Sequence, residues 1–187
     1  MEYFDVLDDN GQKTGEIVER EKAHREGVLH RVVHVWIMNT RNELLLQKRS
    51  KGKDWMPDKW YVSMGGHLAS GEDSSAAIVR EFAEELQFDI RPHMDRLMYL
   101  HTFREKSVTR GGTFIDDEFY DVYLLRCDVD LDALTLQEEE VQAVAYKPYS
   151  DFRQAITQCA PDYVQHETGY PLLLAQLDQT VGWKEGL

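Results

Sequence analysis

Residues 66–88 read GHLASGEDSSAAIVREFAEELQF, a glycine-containing loop that runs into an amphipathic segment carrying Glu72, Glu81, Glu84 and Glu85 at fixed offsets. Gly71 supplies a bend and Asp73 or Ser74 can cap a first turn. Ala76, Ala77, Ile78, Phe82 and Leu86 recur near helical spacing, which predicts a helix with one apolar stripe. Glu81, Glu84 and Glu85 stand at i, i+3 and i+4, so their carboxylates project from one side. Three like charges this close raise one another's pKa unless a cation sits among them. Hard oxygen ligands in that arrangement suit Mg2+, with Mn2+ as the alternative. Arg80 is the lone cation of the run, and a bidentate pair with Glu72 would brace the loop against the helix. The plain alternative is a solvated acidic helix face, the usual fate of a charge run.

Outward from this stretch, the flanking segments read as a sheet protein with helices. Residues 2–7 and 16–19 flank DDNGQKTG, whose Asn-Gly marks a hairpin, so an N-terminal β-ribbon is expected. A short polar helix over 21–26 leads through Gly27 into LHRVVHVWIMN, a long strand whose alternation puts His30, Val32, His34 and Trp36 on one face. ELLLQKRS returns as a central strand, and SKGKDWMPDKW follows as a basic loop. Lys48, Arg49 and Lys53 are placed to hold the outer oxygens of a diphosphate, unless this is merely a solvated turn. Strands are predicted over 97–105, 114–129 and 141–147, and helices over 152–159 and 163–177. The order fits an α/β sandwich with a mixed sheet.

The 187 residues are expected to form one domain, with 1–27 as ribbon and short helix, 28–158 as core and 159–187 as a C-terminal helical extension. A net charge of -13 argues against a nucleic-acid surface but not against a phosphorylated substrate, because a metal can invert the local field. Cys127 and Cys159 make neither a disulfide framework nor zinc-site spacing. No signal-peptide core or apolar run of spanning length occurs, so a soluble, cytoplasmic protein without membrane partners is expected.

The opening stretch resembles the Nudix box, G-x5-E-x7-R-E-U-x-E-E-x-G-U, with Gly66, Glu72, Arg80, Glu81, Phe82, Glu84, Glu85 and Phe88 in register. Gln87 stands where the pattern has its final glycine, which puts the helix exit in question. The resemblance implies a Nudix-type α/β/α sandwich with an N-terminal β-hairpin and C-terminal helices. It also implies a metal site of Glu81, Glu84, Glu85 and the Gly66 carbonyl, serving hydrolysis of a small-molecule diphosphate. The water's proton would go to Glu81 or to a downstream acid, with Glu118, Glu139 and Glu140 as options.

The segments AHREGVLHRVVHVWI, ELLLQKRSKGKDWMPDKW and YVSMGGH look like the isopentenyl diphosphate isomerase branch of that fold. That branch places a cysteine before the Gly-His of its CGH motif; the triplet here is Gly65, Gly66, His67. With the thiol absent and the box carboxylates complete, hydrolysis is the expected activity. Isomerisation and a non-catalytic metabolite-sensing module are the alternatives. By the same resemblance His24, His30, His67, Asp116 and Glu118 are candidates for a second metal, Zn2+ or Mn2+. Trp36, Trp55, Trp60, Phe114 and Tyr120 are candidates for a pocket wall, with Trp36 better placed in the core. The ribbon and C-terminal helices offer surfaces for a homodimer.

Overall fold

The computed structural model describes residues 2–53 and 55–182; the last positions of the expected extension, 183–187, lie outside it. Strands β1 (Tyr3–Leu7) and β2 (Lys13–Glu19) form the expected ribbon. Its turn spans 8–12 rather than two residues, because the Asp8 carboxylate accepts the Asn10 and Gln12 N–H groups and pins a wider loop. Helix α1 (Arg20–Glu26) ends on Gly27, whose φ of 65° is the left-handed region open to glycine.

The main sheet holds β3 (His30–Met38), β4 (Glu43–Arg49), β5 (Trp60–Tyr61), β6 (Met64–His67), β7 (Met98–Thr109), β8 (Phe114–Arg126) and β9 (Val141–Pro148). Strand β3 lies at the centre. It pairs in parallel with β8 along its whole length, and on its other edge with β6 at one end and β4 at the other. All other pairings are antiparallel. The sequence reading assigns no strand to 60–67, since Gly65 and Gly66 carry no side chain to alternate. The β3 edge accepts them because His34 stands opposite Gly65 and fills the space a side chain would take.

Helices α2 (Ser74–Leu86), α3 (Tyr149–Thr157) and α4 (Gly169–Val181) cover the sheet on two sides. Alternation along β3 sorts the core. Val33, Val35 and Ile37 pack with Ile78, Phe82 and Leu86 of α2, while Val32, Trp36 and Met38 pack with Phe152, Tyr170 and Leu173 of α3 and α4. Trp36 is fully buried, as a core residue.

The last helix starts six residues later than expected, at Gly169 instead of Tyr163. Two interactions hold the intervening segment non-helical: Tyr163 bridges to Trp60, and the Thr168 N–H donates to Glu105. Pro171 then falls in the first helical turn, where its missing N–H costs nothing. Helix α3 begins at Tyr149 rather than Phe152, and Cys159 beyond its end sits at φ 50°. Among the described residues no helix is long and apolar enough to cross a membrane.

Candidate functional site

Helix α2 carries the acidic side chains, and its ends are fixed locally. The Asp73 carboxylate accepts the Ala76 N–H at 2.9 Å, an N-cap, and the Ser74 hydroxyl donates to Asp121 at 2.8 Å. At the other end Gln87 takes the left-handed conformation, φ 48° and ψ 33°, so the helix exit of the glycine-bearing pattern survives without the glycine. Carbonyls of the last turn are then used by the loop that follows β8: Thr135 donates to Leu86 and Gln137 to Glu85. That loop brings Glu139 and Glu140 to the cleft.

Arg80 organises the carboxylates. Its Nε and one terminal nitrogen donate to both Glu72 oxygens at 2.9 Å, and the same terminal nitrogen reaches the His67 carbonyl at 2.8 Å. Its other terminal nitrogen donates to Glu81 at 2.8 Å and Glu84 at 3.2 Å. Glu72 also accepts the Ala69 N–H, so it locks the loop and does not line the cleft. The Arg80 hydrogen bonds hold the Glu72 carboxyl below its usual value.

The three box carboxylates are not equivalent. Glu81 and Glu85 are buried one turn apart, whereas the Glu84 side chain is 55% exposed at the rim. Burial pushes Glu81 up to about 7 against the pull of Arg80. Burial, with the neighbouring Glu81 and Glu140 carboxylates, pushes Glu85 up to about 8. One Glu85 oxygen is buried with no hydrogen-bond partner. Any side chain at Gly66 would run into the Glu81 carboxyl, so the glycine is what lets the β6 backbone meet the helix there. A buried, unpartnered carboxylate oxygen beside a second buried carboxylate is costly unless a cation completes it. This donor set fits a hard divalent ion.

A cleft of about 960 Å3 opens over these groups. Of the three basic candidates, Arg49 and Lys53 line it and Lys48 does not. Strand alternation turns Lys48 away, where it pairs with Asp58 at 2.7 Å. Arg49 is largely committed, donating two bonds to the Trp55 carbonyl and lying 5.0 Å over the Trp55 ring. Lys53 is paired with Glu140. Trp55, Phe114 and Tyr120 line the cleft; Trp60 instead packs beneath Lys147.

The histidines converge beside the box. Ligand atoms of His24, His30, His67 and Glu118 all lie within 4.8 Å of one another. His30 and His67 each meet the Glu118 carboxylate at 3.1 Å, and His24 lies 3.0 Å from Asp116. Phe4 of β1 is stacked on both His30 and His67, and Phe114 on His24, so the ribbon walls the cluster. Burial alone would raise the Glu118 carboxyl, but the adjacent His30 and His67 outweigh it and hold it well below its ordinary value. Burial pushes His67 down to about 3. Both His24 ring nitrogens and His30 Nε2 are buried without an aligned hydrogen bond. Three imidazoles whose nitrogens face two carboxylates form a ligand set for a borderline metal ion.

Sequence reasoning missed Gln47, Tyr61 and His166. Gln47 and Tyr61 line the cleft, and His166 sits directly behind Tyr61. Strand alternation carries a signal for Gln47, two positions from Arg49, but a lone tyrosine and a histidine inside an expected helix carry none.

A family model described as NUDIX domain matches residues 28–173. The chain is 42% identical over 169 residues to Nudix hydrolase 3 of Arabidopsis thaliana, covering 89% of this chain but 22% of that protein. It is 37% identical over 141 residues to an uncharacterized Nudix hydrolase of Listeria monocytogenes, covering 75% of this chain and 76% of the other. It is 30% identical over 152 residues to the isopentenyl-diphosphate Delta-isomerase of Saccharopolyspora erythraea, covering 81% and 75%. Among solved structures, a Deinococcus radiodurans protein (DR0079) shares the fold with a TM-score of 0.70 at 21% identity, covering 92% of this chain and 98% of that one.

Proposed function

Because the chain belongs to the Nudix family, we propose that it is a Mg2+-dependent hydrolase that cleaves the diphosphate linkage of an organic diphosphate. The observation that carries this reading is the buried pair Glu81 and Glu85, one oxygen of which has no partner in the protein. When bound there, Mg2+ supplies positive charge to the phosphoryl oxygens and lowers the pKa of an attacking water. Glu81, Glu85 and the rim carboxylate Glu84 would hold it with the Gly66 carbonyl. Arg80, with Glu72 bracing it from outside the cleft, would orient those carboxylates. Lys53, and the part of Arg49 not spent on Trp55, face charge on the leaving phosphate. Glu139 and Glu140 line the same cleft and would accept the water's proton, Glu140 on release from Lys53.

Phosphorus NMR of the protein with Mg2+ and a panel of nucleoside, sugar, coenzyme and prenyl diphosphates is the direct test. New monophosphate or phosphate signals that need the metal support hydrolysis. Conversion of isopentenyl diphosphate to its allylic isomer without phosphate release would overturn it. Against that second outcome, Gly65 presents no acid, and neither Cys127 nor Cys159 lines the cleft.

The raised carboxyls set a pH dependence. As pH rises above the ordinary glutamate value, the unfolded chain gives up these protons first. The metal-free fold therefore loses stability progressively up to about 8, where Glu85 ionises. Metal binding needs both groups ionised, so Mg2+ affinity rises between about 6 and 8 and binding releases protons. Calorimetry at pH 7 in two buffers of different ionisation enthalpy should register release of about one proton per Mg2+. Identical heats in the two buffers would sink the assignment.

The histidine cluster supports a second, transition-metal site held by His24, His30, His67 and Glu118, with Asp116 orienting His24. Elemental analysis of protein prepared without chelator should find Zn2+ or Mn2+, reduced in His30→Gln and His67→Gln. Metal-free wild-type protein that takes up neither ion on dialysis would count against it.

A further inference from the structure

The Arg80 fork serves Glu81 and Glu84 but not Glu85, which takes its support from the sheet. On β4, alternation places Leu45, Gln47 and Arg49 on the face that α2 covers. Leu45 is fully buried in the core with Ile78, Phe82 and Leu86, and Arg49 stands in the cleft. Gln47 lies between them, 4% exposed, where the core gives way to the cleft. Its backbone is paired on both sides, with Tyr61 of β5 and Val144 of β9, so the side chain rises from a central strand. The Gln47 amide lies against the Glu85 carboxyl, where its N–H opposes the larger effect of burial on that group.

The two ends of that amide are not equally used. A carboxylate only accepts, so in the ionised state that binds a cation Glu85 faces the Gln47 nitrogen, and the Gln47 oxygen is the end left over. That oxygen is buried with no hydrogen-bond partner among the described residues, and so is one Glu85 oxygen. Asn39, the other buried amide among the described residues, shows the contrast. Its nitrogen donates to Glu43 at 2.7 Å, and its oxygen accepts the Arg41 and Glu43 N–H groups at 2.9 Å. An apolar side chain of similar length would fill the Gln47 position without stranding a polar atom, so packing does not account for an amide there. Its place beside Glu85, at the edge of the cleft, does. Three carboxylates already crowd this site, and a fourth would add to their repulsion. A neutral amide oxygen supplies a hard donor atom without doing so.

We propose that Gln47 Oε1 is a further, neutral oxygen ligand of the divalent ion held by Glu81, Glu84 and Glu85, with the Gln47 nitrogen positioning the Glu85 carboxylate beside it. This rests on the hydrolase reading for the identity of the ion site.

Mg2+ calorimetry at pH 9, above the value of about 8 at which Glu85 ionises, compares variants without the Glu85 proton entering. Gln47→Leu should weaken Mg2+ binding by roughly fivefold or more, the value of one polar contact, in a protein whose urea transition stays cooperative. Gln47→Glu gives up the N–H group but keeps an oxygen at the same place, and should bind Mg2+ at least as tightly as wild type. An unchanged Mg2+ affinity in Gln47→Leu would overturn the proposal. A Gln47→Glu variant as weak as Gln47→Leu would overturn it too, since the amide would then act only as a donor to Glu85. Glu85→Gln separates this proposal from the reading beneath it. Mg2+ binding that survives Glu85→Gln falls on the hydrolase reading, whereas binding lost in Glu85→Gln but intact in Gln47→Leu falls on the Gln47 ligand alone.

Discussion

Glu85→Gln is expected to lose hydrolysis by two or more orders of magnitude while making the metal-free protein more stable, an outcome opposite to that of ordinary core damage. The side chain is 7% exposed, and its pKa lies near 8, so at neutral pH the native state holds a proton that the unfolded chain has already released. Glutamine has the same shape and pays no such ionisation cost. The gain, on the order of 1 kcal/mol or more at pH 7.5, should vanish below about pH 4, where both states are protonated. Urea unfolding with EDTA at the two pH values, alongside phosphate release with Mg2+, checks both halves. A variant less stable than wild type at pH 7.5, or one retaining full activity, would remove Glu85 from the proposed metal site.

Arg80→Lys carries the second large effect. The guanidinium serves five acceptors at once: both Glu72 oxygens, Glu81, Glu84 and the His67 carbonyl. An ammonium on a flexible stem has three donors and no planar fork. Lysine therefore leaves at least two of these oxygens unpaired, and Glu72 and Glu81 are only partly exposed. The expected cost is about 2–3 kcal/mol in unfolding free energy, together with at least a tenfold fall in turnover as the carboxylates lose their orientation. Chemical denaturation and kinetics on the same preparation measure the two. A loss below about 0.5 kcal/mol would show that the fork is dispensable.

Much of the site is legible because its signals are local. Asp73, the spacing of Ile78, Phe82 and Leu86, and the reach of Arg80 to Glu72 all lie within one loop and one helix, where capping and periodicity operate. Gln87 departs from the pattern yet adopts its geometry, since the pull of Phe88 and Leu86 into the core compensates a modest backbone cost. Lys48 is the reverse case: alternation on β4 already separates it from Gln47 and Arg49, and composition alone hides that. Strands β5 and β6 escape detection because pairing with β3 and β4, not side-chain pattern, makes them extended. The segment at 163–168 escapes for the same reason. Its conformation comes from Trp60 and Glu105, about a hundred and about sixty residues away along the chain, and nothing local announces them.

The parallel match of β3 to β8 also bears on how the molecule comes to exist. His30 pairs with Glu118 and Met38 with Arg126, so the centre of the sheet joins positions nearly ninety residues apart. Closing such a loop is paid for before its contacts form, which makes this the slow event in folding. A growing chain can form the ribbon, β3, β4 and the acidic helix early. It cannot complete the histidine cluster until β8, which carries Asp116 and Glu118, has emerged and docked. Until then the apolar edge of β3 is open to other chains, and the time this edge spends unpaired sets the risk of aggregation during synthesis.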